Sequence, residues 1–414
     1  MTEDEPDTAR NANLIRWLTC LMFFTFAMTT DAVGSVIPKI IDEFALSLTS
    51  ASAFQYATMA GIAGGALFLG FLADFAGRKP TIILGLSLYG LSCLLFAVSH
   101  VFGAFVALLA IGGLGISVFK TGALALVGDV SASTVSHTRL MNTVEGFFAV
   151  GAIVGPAIVA TLVAKGLSWK WLYIIAAVIC IALVAIASRV RYPQVKRTEK
   201  RATLGEIVVV LKDPLALGFS LLVMLYVAVE VAIYVWMPTY LKTYDGACRW
   251  LPGYALTIFF LLRALGRFFG AWLLGRFSWT VALLAVSFAI FLCFLGSLIQ
   301  GVAAAAWLLP LSGLFMSIMY PTLNSKGISC FPRAQHGAAA GVILFFTALA
   351  AALGPLAMAA VSDAYGSTHA GFTLATIFAF LLFAGLVANL IIDPARRRLA
   401  SSDRAEYAST APAE

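Results

Sequence analysis

Long apolar runs, each about 20 or more residues and cut by short polar turns, repeat along the whole chain. A helix needs about 20 mostly apolar residues to cross the roughly 30 Å hydrocarbon core. Within that core each backbone N–H and C=O must be satisfied inside its own segment. Dividing the chain at its Pro, Gly and charged punctuation gives twelve such segments. Six run Leu14 to Ile41, Ala51 to Asp74, Thr81 to Ser99, Val101 to Gly128, Thr138 to Ala164 and Trp169 to Ser188. Six more run Pro214 to Leu241, Gly253 to Arg276, Thr280 to Ile299, Ala304 to Cys330, Gly337 to Val361 and Ala370 to Ile392. The pattern predicts an all-α integral membrane protein with twelve transmembrane helices.

Composition removes the water-soluble alternatives. Of 414 residues, 61% are hydrophobic and 11% charged, against about 45–50% and 25% in soluble chains. The amino-terminal TEDEPDTARN is acidic and has no cleavable signal pattern, so the first helix is expected to stay in the protein. Short loops on the side that would hold both termini carry nineteen Lys and Arg; the other side has Lys39, Lys165, Lys170, Lys242 and Arg249. That bias predicts cytoplasmic termini. The net charge of +7 therefore reports topology and not nucleic-acid binding. Five of the six cysteines fall in or at the ends of apolar segments, leaving Cys248 in an outer loop. No disulfide framework or metal-ligand spacing is visible, and no cofactor is expected.

The polar interval from Arg189 to Asp213, containing RVRYPQVKRTEKR, divides the chain. It reads as a cytoplasmic linker (189–213) between six-helix halves at 14–188 and 214–392, with cytoplasmic tails at 1–13 and 393–414. A shift of 199 residues places His137 on His336, Gly155-Pro156 on Gly354-Pro355, and Asp31 on Glu230. A shift of 200 places Gly70 on Gly270 and Pro38 on Pro238. One near-constant offset favours duplication into parallel halves, a layout of secondary transporters whose substrate site lies between the halves.

GFLADFAGRK, Gly70 to Lys79, joins segments two and three. It resembles the signature of the major facilitator superfamily, G-x-x-x-D-x-x-G-R-[KR], at the matching position. The resemblance implies a conformational latch: Asp74 against the positive end of helix eleven, and Arg78 against Asp129 at the end of helix four, with Gly70, Gly77 and Lys79 completing the motif. Gly151 to Pro156, GAIVGP, is similar to a second superfamily motif discussed in antiporters. Its glycines Gly151 and Gly155 also fit close helix packing ahead of Pro156; both readings stay open.

LYVAVEVAIYVWMPTYL (Leu225 to Leu241) and GLFMSIMYPTLNSKG (Gly313 to Gly327) resemble helices seven and ten of the fucose and glucose permease family. That resemblance implies proton-coupled uptake of a sugar or similar solute, with Gln55 matching a family glutamine. It also departs from the family: where a GLGxxET-like context carries a helix-four carboxylate, GLGISVFKT places Lys120.

Charges at membrane depth cost about 2.5–3.5 kcal/mol even on insertion scales, so each is a candidate functional group. Six stand well inside the segments: Asp31, Lys120, Glu145, Glu230, Arg263 and Arg267. With about 1.5 Å of rise per residue, Lys120 and Glu145 are depth-matched in one half, and Glu230 and Arg263 in the other. Asp31 has no depth-matched cation adjacent in sequence, which makes it the first candidate for proton coupling, ahead of Glu230 and Glu145. A structural carboxylate bonded to Thr29, Thr30 or Ser35 is the alternative. Lys120 either pairs with Glu145 or meets an anionic substrate. Gln55, Asn142, Arg263, Tyr234 and Asn324 complete the candidate substrate contacts. Tyr226, Trp236, Tyr240 and Tyr320 serve ring stacking on a sugar or, more simply, helix packing and the interfacial belt.

The expected function is an alternating-access transporter, with proton symport of a sugar, sugar derivative or organic anion, or alternatively proton-driven export of drugs or metabolites. No Ser/His/Asp arrangement or phosphate loop suggests an enzyme. The expected partners are a small molecule and the bilayer of a bacterial inner membrane, with the chain working as a monomer.

Overall fold

The structure is a computed structural model that describes residues 4–69, 72, 76–130, 134–190, 192, 209–332 and 335–400. For 4–12, 67, 125, 128–129, 134–138 and 337 only the backbone is described. Every regular element among these residues is helical, and eleven helical stretches among them are long and apolar enough to cross a membrane. The chain divides into two compact units, Met1–Thr198 and Glu199–Glu414.

The first unit holds α1 (Asp4–Thr30), α2 (Val33–Phe44), α3 (Leu48–Ala51), α4 (Ala53–Leu69), α5 (Arg78–Val98), α6 (Phe102–Asp129), α7 (Thr134–Ala164) and α8 (Trp171–Arg189). The second holds α9 (Pro214–Tyr240), a 3-10 turn (Leu241–Thr243), α10 (Leu251–Arg276), α11 (Trp279–Gln300), α12 (Val302–Met316), α13 (Met319–Ser329), α14 (His336–Ala364) and α15 (Thr368–Ile392). The expected linker falls mostly outside the described residues, as do 401–414.

Two predicted segments are not continuous. Segment ten divides at Ser317–Ile318, between α12 and α13. Pro321 has no N–H for the Ser317 carbonyl and its ring crowds that carbonyl, while the Ser317 hydroxyl turns back to Leu314 O at 3.0 Å. Segment one divides at Asp31–Ala32, between α1 and α2. There Thr29 and Thr30 each donate to Phe26 O at 3.1 Å, a back-bonding that bends helices. Each stretch still makes one candidate membrane span, 13–44 and 302–329, because an apolar run reports burial and not ladder continuity.

Inside the first unit α1 packs along α7, α4 along α6, and α5 between α6 and α8. In the second, α9 packs along α14, α10 and α11 along α12, and α15 along α11 and α9. The same contacts recur at the repeat offset. A Cβ on Gly155 would strike the Met28 backbone of α1, and one on Gly354 would sit 3.3 Å from Ala228 Cα on α9. Missing side chains let the backbones close, which is how helices associate without a hydrophobic driving force from lipid.

Candidate functional site

In the first unit the break in segment one sets the site. It ends α1 just before Asp31, whose Oδ2 is buried and whose amide still donates to Ala27 O at 3.0 Å. Lys120 on α6 stands with its ammonium 5.6 Å from the Phe23 ring centre and 5.3 Å from that of Phe26, both on α1. Two carboxylates act on that ammonium through space, Glu145 of α7 the more strongly and Asp31 the less. Asp31, which has no cation adjacent in sequence, thus lies within electrostatic range of a lysine on another helix. Residues 17–38, on both sides of the break, carry no Lys or Arg, so a cation had to come from another helix.

When all three groups are ionised, one positive and two negative charges leave the trio at net −1. The aromatic faces of Phe23 and Phe26 add attraction for the ammonium, on the order of 0.5–2 kcal/mol per ring when desolvated. No apolar pattern marks these two phenylalanines as a cage, since the same spacing serves ordinary helix packing.

The second unit brings Glu230 of α9 and Arg263 of α10 into a direct ion pair. Glu230 is nearly buried, and Arg263 is about a quarter exposed, at 28% for its side chain. Tyr226, one turn before Glu230, is fully buried and donates from its hydroxyl to Met316 O at 3.0 Å. That carbonyl ends α12, where the break in segment ten leaves acceptors without a ladder donor. Tyr226 also faces Glu230, Arg263 and Tyr234 electrostatically. The tyrosine thus ties the charged pair to the break, a link no sequence spacing announces.

The other candidates scatter. Gln55 is buried at 2% exposure on α4. Asn142 is exposed, one turn before Glu145 on α7. Tyr234 is partly buried with its ring centre 6.4 Å from that of Phe260, and Asn324 is partly buried on α13. Trp236 is buried and donates to Pro355 O at 3.0 Å, while Tyr240 stacks on Phe372 at 4.4 Å. Those two rings pack helices instead of forming a surface belt. Arg267 is exposed.

Of the latch residues, Gly70 and Asp74 lie outside the described residues, as does the side chain of Asp129. Gly77 precedes α5 at φ 91°, a left-handed conformation open to glycine. Lys79 donates to Ser188 O at 2.6 Å and Val190 O at 2.9 Å, so it caps the end of α8 in its own unit. Its ammonium also stands 5.9 Å from the Tyr192 ring centre. Burial pushes the Tyr192 phenol up to about 12, so that ring stays neutral beside the lysine at physiological pH. Arg78 is partly buried at the start of α5. Gly151 and Gly155 lie against the α1 backbone at Phe24 and Met28, ahead of buried Pro156.

A helical membrane chain of two units matches the family model of the Major Facilitator Superfamily over residues 19–355 and again over 253–413. The chain belongs to that superfamily. Like other members of the superfamily it is a transporter and not an enzyme, and a multi-pass integral membrane protein. A glucose/galactose transporter of Brucella abortus biovar 1 (strain 9-941) is 25% identical over 407 residues, covering 93% of this chain and 96% of the relative. The inward-facing, occupied structure of a bacterial homolog of the human lysosomal transporter Spinster superposes with a TM-score of 0.76 at 14% identity. It covers 96% of this chain and 98% of the other. The fucose:proton symporter of E. coli gives a TM-score of 0.61 at 22% identity over 92% and 98%. At such identities these structures speak for the fold alone.

Proposed function

We propose that this superfamily member is a proton-coupled symporter of a small polar organic solute, a sugar, sugar derivative or organic anion. It works by alternating access as a monomer with twelve transmembrane helices and cytoplasmic termini, in a bacterial inner membrane, with the proton as its coupling ion and no cofactor. The observation that carries this reading is the excess carboxylate around Lys120. Asp31, Glu145 and Lys120 sum to −1 when ionised, and one bound proton makes the trio neutral. Neutrality favours movement of a buried group between states, because an uncompensated charge out of water is costly. Of the two carboxylates we assign the proton to Asp31. Asp31 follows directly on a helix end, where a local change of backbone can carry it between exposures.

The charge balance also bears on the substrate. With two carboxylates around it, Lys120 has no spare positive charge for an anion until one of them is protonated or moves. This supports a neutral solute, in keeping with the glucose/galactose transporter among its relatives. An organic anion recruited by Lys120 remains the rival within the same class.

Reconstitution into liposomes with imposed pH gradients, offering neutral sugars and organic anions, tests both points. Asp31→Asn is expected to abolish gradient-driven accumulation while sparing substrate exchange across the membrane. Full concentrative uptake by Asp31→Asn removes Asp31 from the coupling role. Uptake of organic anions only, lost in Lys120→Gln and not restored in Lys120→Gln/Glu145→Gln, overturns the neutral-solute reading.

A further inference from the structure

The break in segment ten is held from two sides inside the second unit. On α10, a Cβ at Gly266 would strike the Leu314 carbonyl and one at Gly270 the Ile318 side chain, so this helix lies against both flanks of the break. On α9, the Tyr226 hydroxyl donates to Met316 O at 3.0 Å. These are the two helices that carry Arg263 and Glu230, with Gly266 three residues after Arg263 and Tyr226 four before Glu230.

A phenol has one proton to donate. Two acceptors compete for it: the Met316 carbonyl that holds it, and the Glu230 carboxylate one turn along the same face of α9. Tyr226 and Met316 are fully buried and Glu230 nearly so, which keeps bulk water out of the contest. While Arg263 satisfies the carboxylate, the carbonyl keeps the hydroxyl. A buried carboxylate deprived of its guanidinium becomes the better acceptor, because hydrogen bonds to an ionised group are about twice as strong as neutral ones.

We propose that Tyr226 is a donor switch: departure of Arg263 from Glu230 swings the Tyr226 hydrogen bond from Met316 O to the carboxylate and releases the break in segment ten. No proton is transferred. The released break loosens and does not zip into one helix, because Pro321 has no N–H to offer the Ser317 carbonyl. Arg263 is the partner a solute can engage, its side chain being 28% exposed against 10% for Glu230. The hydroxyl thus carries an event at the ion pair to the joint between α12 and α13, and it does so whatever the solute or the coupling ion.

Hydrogen–deuterium exchange of the full chain in lipid nanodiscs tests this, at a pD of about 8, well above the ordinary carboxylate range. The readout is exchange over 318–325 as a ratio to exchange over α11. Tyr226→Phe removes the donor and keeps the ring, so the ratio should rise about fivefold, the equivalent of one net hydrogen bond. Arg263→Met should raise it by the same factor, and adding Arg263→Met to Tyr226→Phe should raise it no further. Arg263→Met/Glu230→Leu removes the rival acceptor and should return the ratio to that of the unsubstituted protein. An unchanged or lower ratio in Tyr226→Phe overturns the proposal by itself, without any change to the ion pair. Multiplying effects of Tyr226→Phe and Arg263→Met mean two independent losses of packing and sink the switch, as does a break that stays loose in Arg263→Met/Glu230→Leu.

Discussion

In the first half Asp31 shares Lys120 with Glu145; at the corresponding position 199 residues on, Glu230 closes an ion pair with Arg263. Asp31 lies at the break in the first segment of its half, and Glu230 on the first helix of the other. The cations do not correspond: Lys120 comes from the fourth predicted segment of its half, and Arg263 from the second of its own. One cluster carries an excess negative charge, and the other is balanced. The difference teaches that duplication preserved the backbone contacts and the acidic position while the counter-charge was placed anew. On the proposed function the unbalanced cluster takes the proton and the balanced one holds helices together.

The largest expected effect breaks the balanced side. Arg263→Ala leaves Glu230 in its site without the guanidinium and should cost about 3 kcal/mol, the low end for a severed buried pair because Arg263 is partly exposed. Thermal unfolding in detergent measures it, and Arg263→Met/Glu230→Gln should recover most of the loss. Gradient-driven uptake should persist in that double variant. If it vanished while stability returned, Glu230 would be a coupling carboxylate and the contrast between halves would collapse.

A smaller effect sharpens the packing side of the comparison. Gly155→Ala pushes a methyl into the Met28 backbone, whereas Gly354→Ala brings one to 3.3 Å from Ala228 Cα, where a slight shift relieves it. Overpacking costs about 1–3 kcal/mol, so Gly155→Ala should sit toward the top of that range and Gly354→Ala below it. Equal losses of melting temperature would show that the two contacts tolerate the same strain.

The ties from α5 to the end of α8 in one half, and from Arg398 to the start of α9 in the other, give the smallest effect. Lys79 caps α8 through two carbonyls, and Arg398 pairs with Asp213 at 2.8 Å. Lys79→Gln should lose about 0.3–1 kcal/mol. Arg398→Gln should lose no more than about 1 kcal/mol, and less in high salt, because its side chain is 43% exposed and screened. Unfolding measured at low and high ionic strength separates them.

The Glu230–Arg263 pairing was legible from depth counting alone, because both residues lie on long, regular helices joined by a short loop. Asp31 was legible as a buried charge and not as a neighbour of Lys120, since nothing local records which helices of a bundle lie side by side. The breaks at Asp31 and Ser317 were not read, though Thr29-Thr30 and Pro321 were the signals that could have found them. Gly155 and Gly354 were visible as a repeated pair, and the carbonyls they admit were not.

By itself the sequence determined the class of the protein, its long apolar segments and the residues whose charge demands an explanation. These follow from local quantities: apolar run length against bilayer thickness, and the solvation cost of an ion. Only the tertiary structure decided which carboxylates meet which cation and where the helices break. Those depend on which helix faces touch, and contact between segments a hundred residues apart is set by packing of the whole bundle and not by any stretch of chain within it.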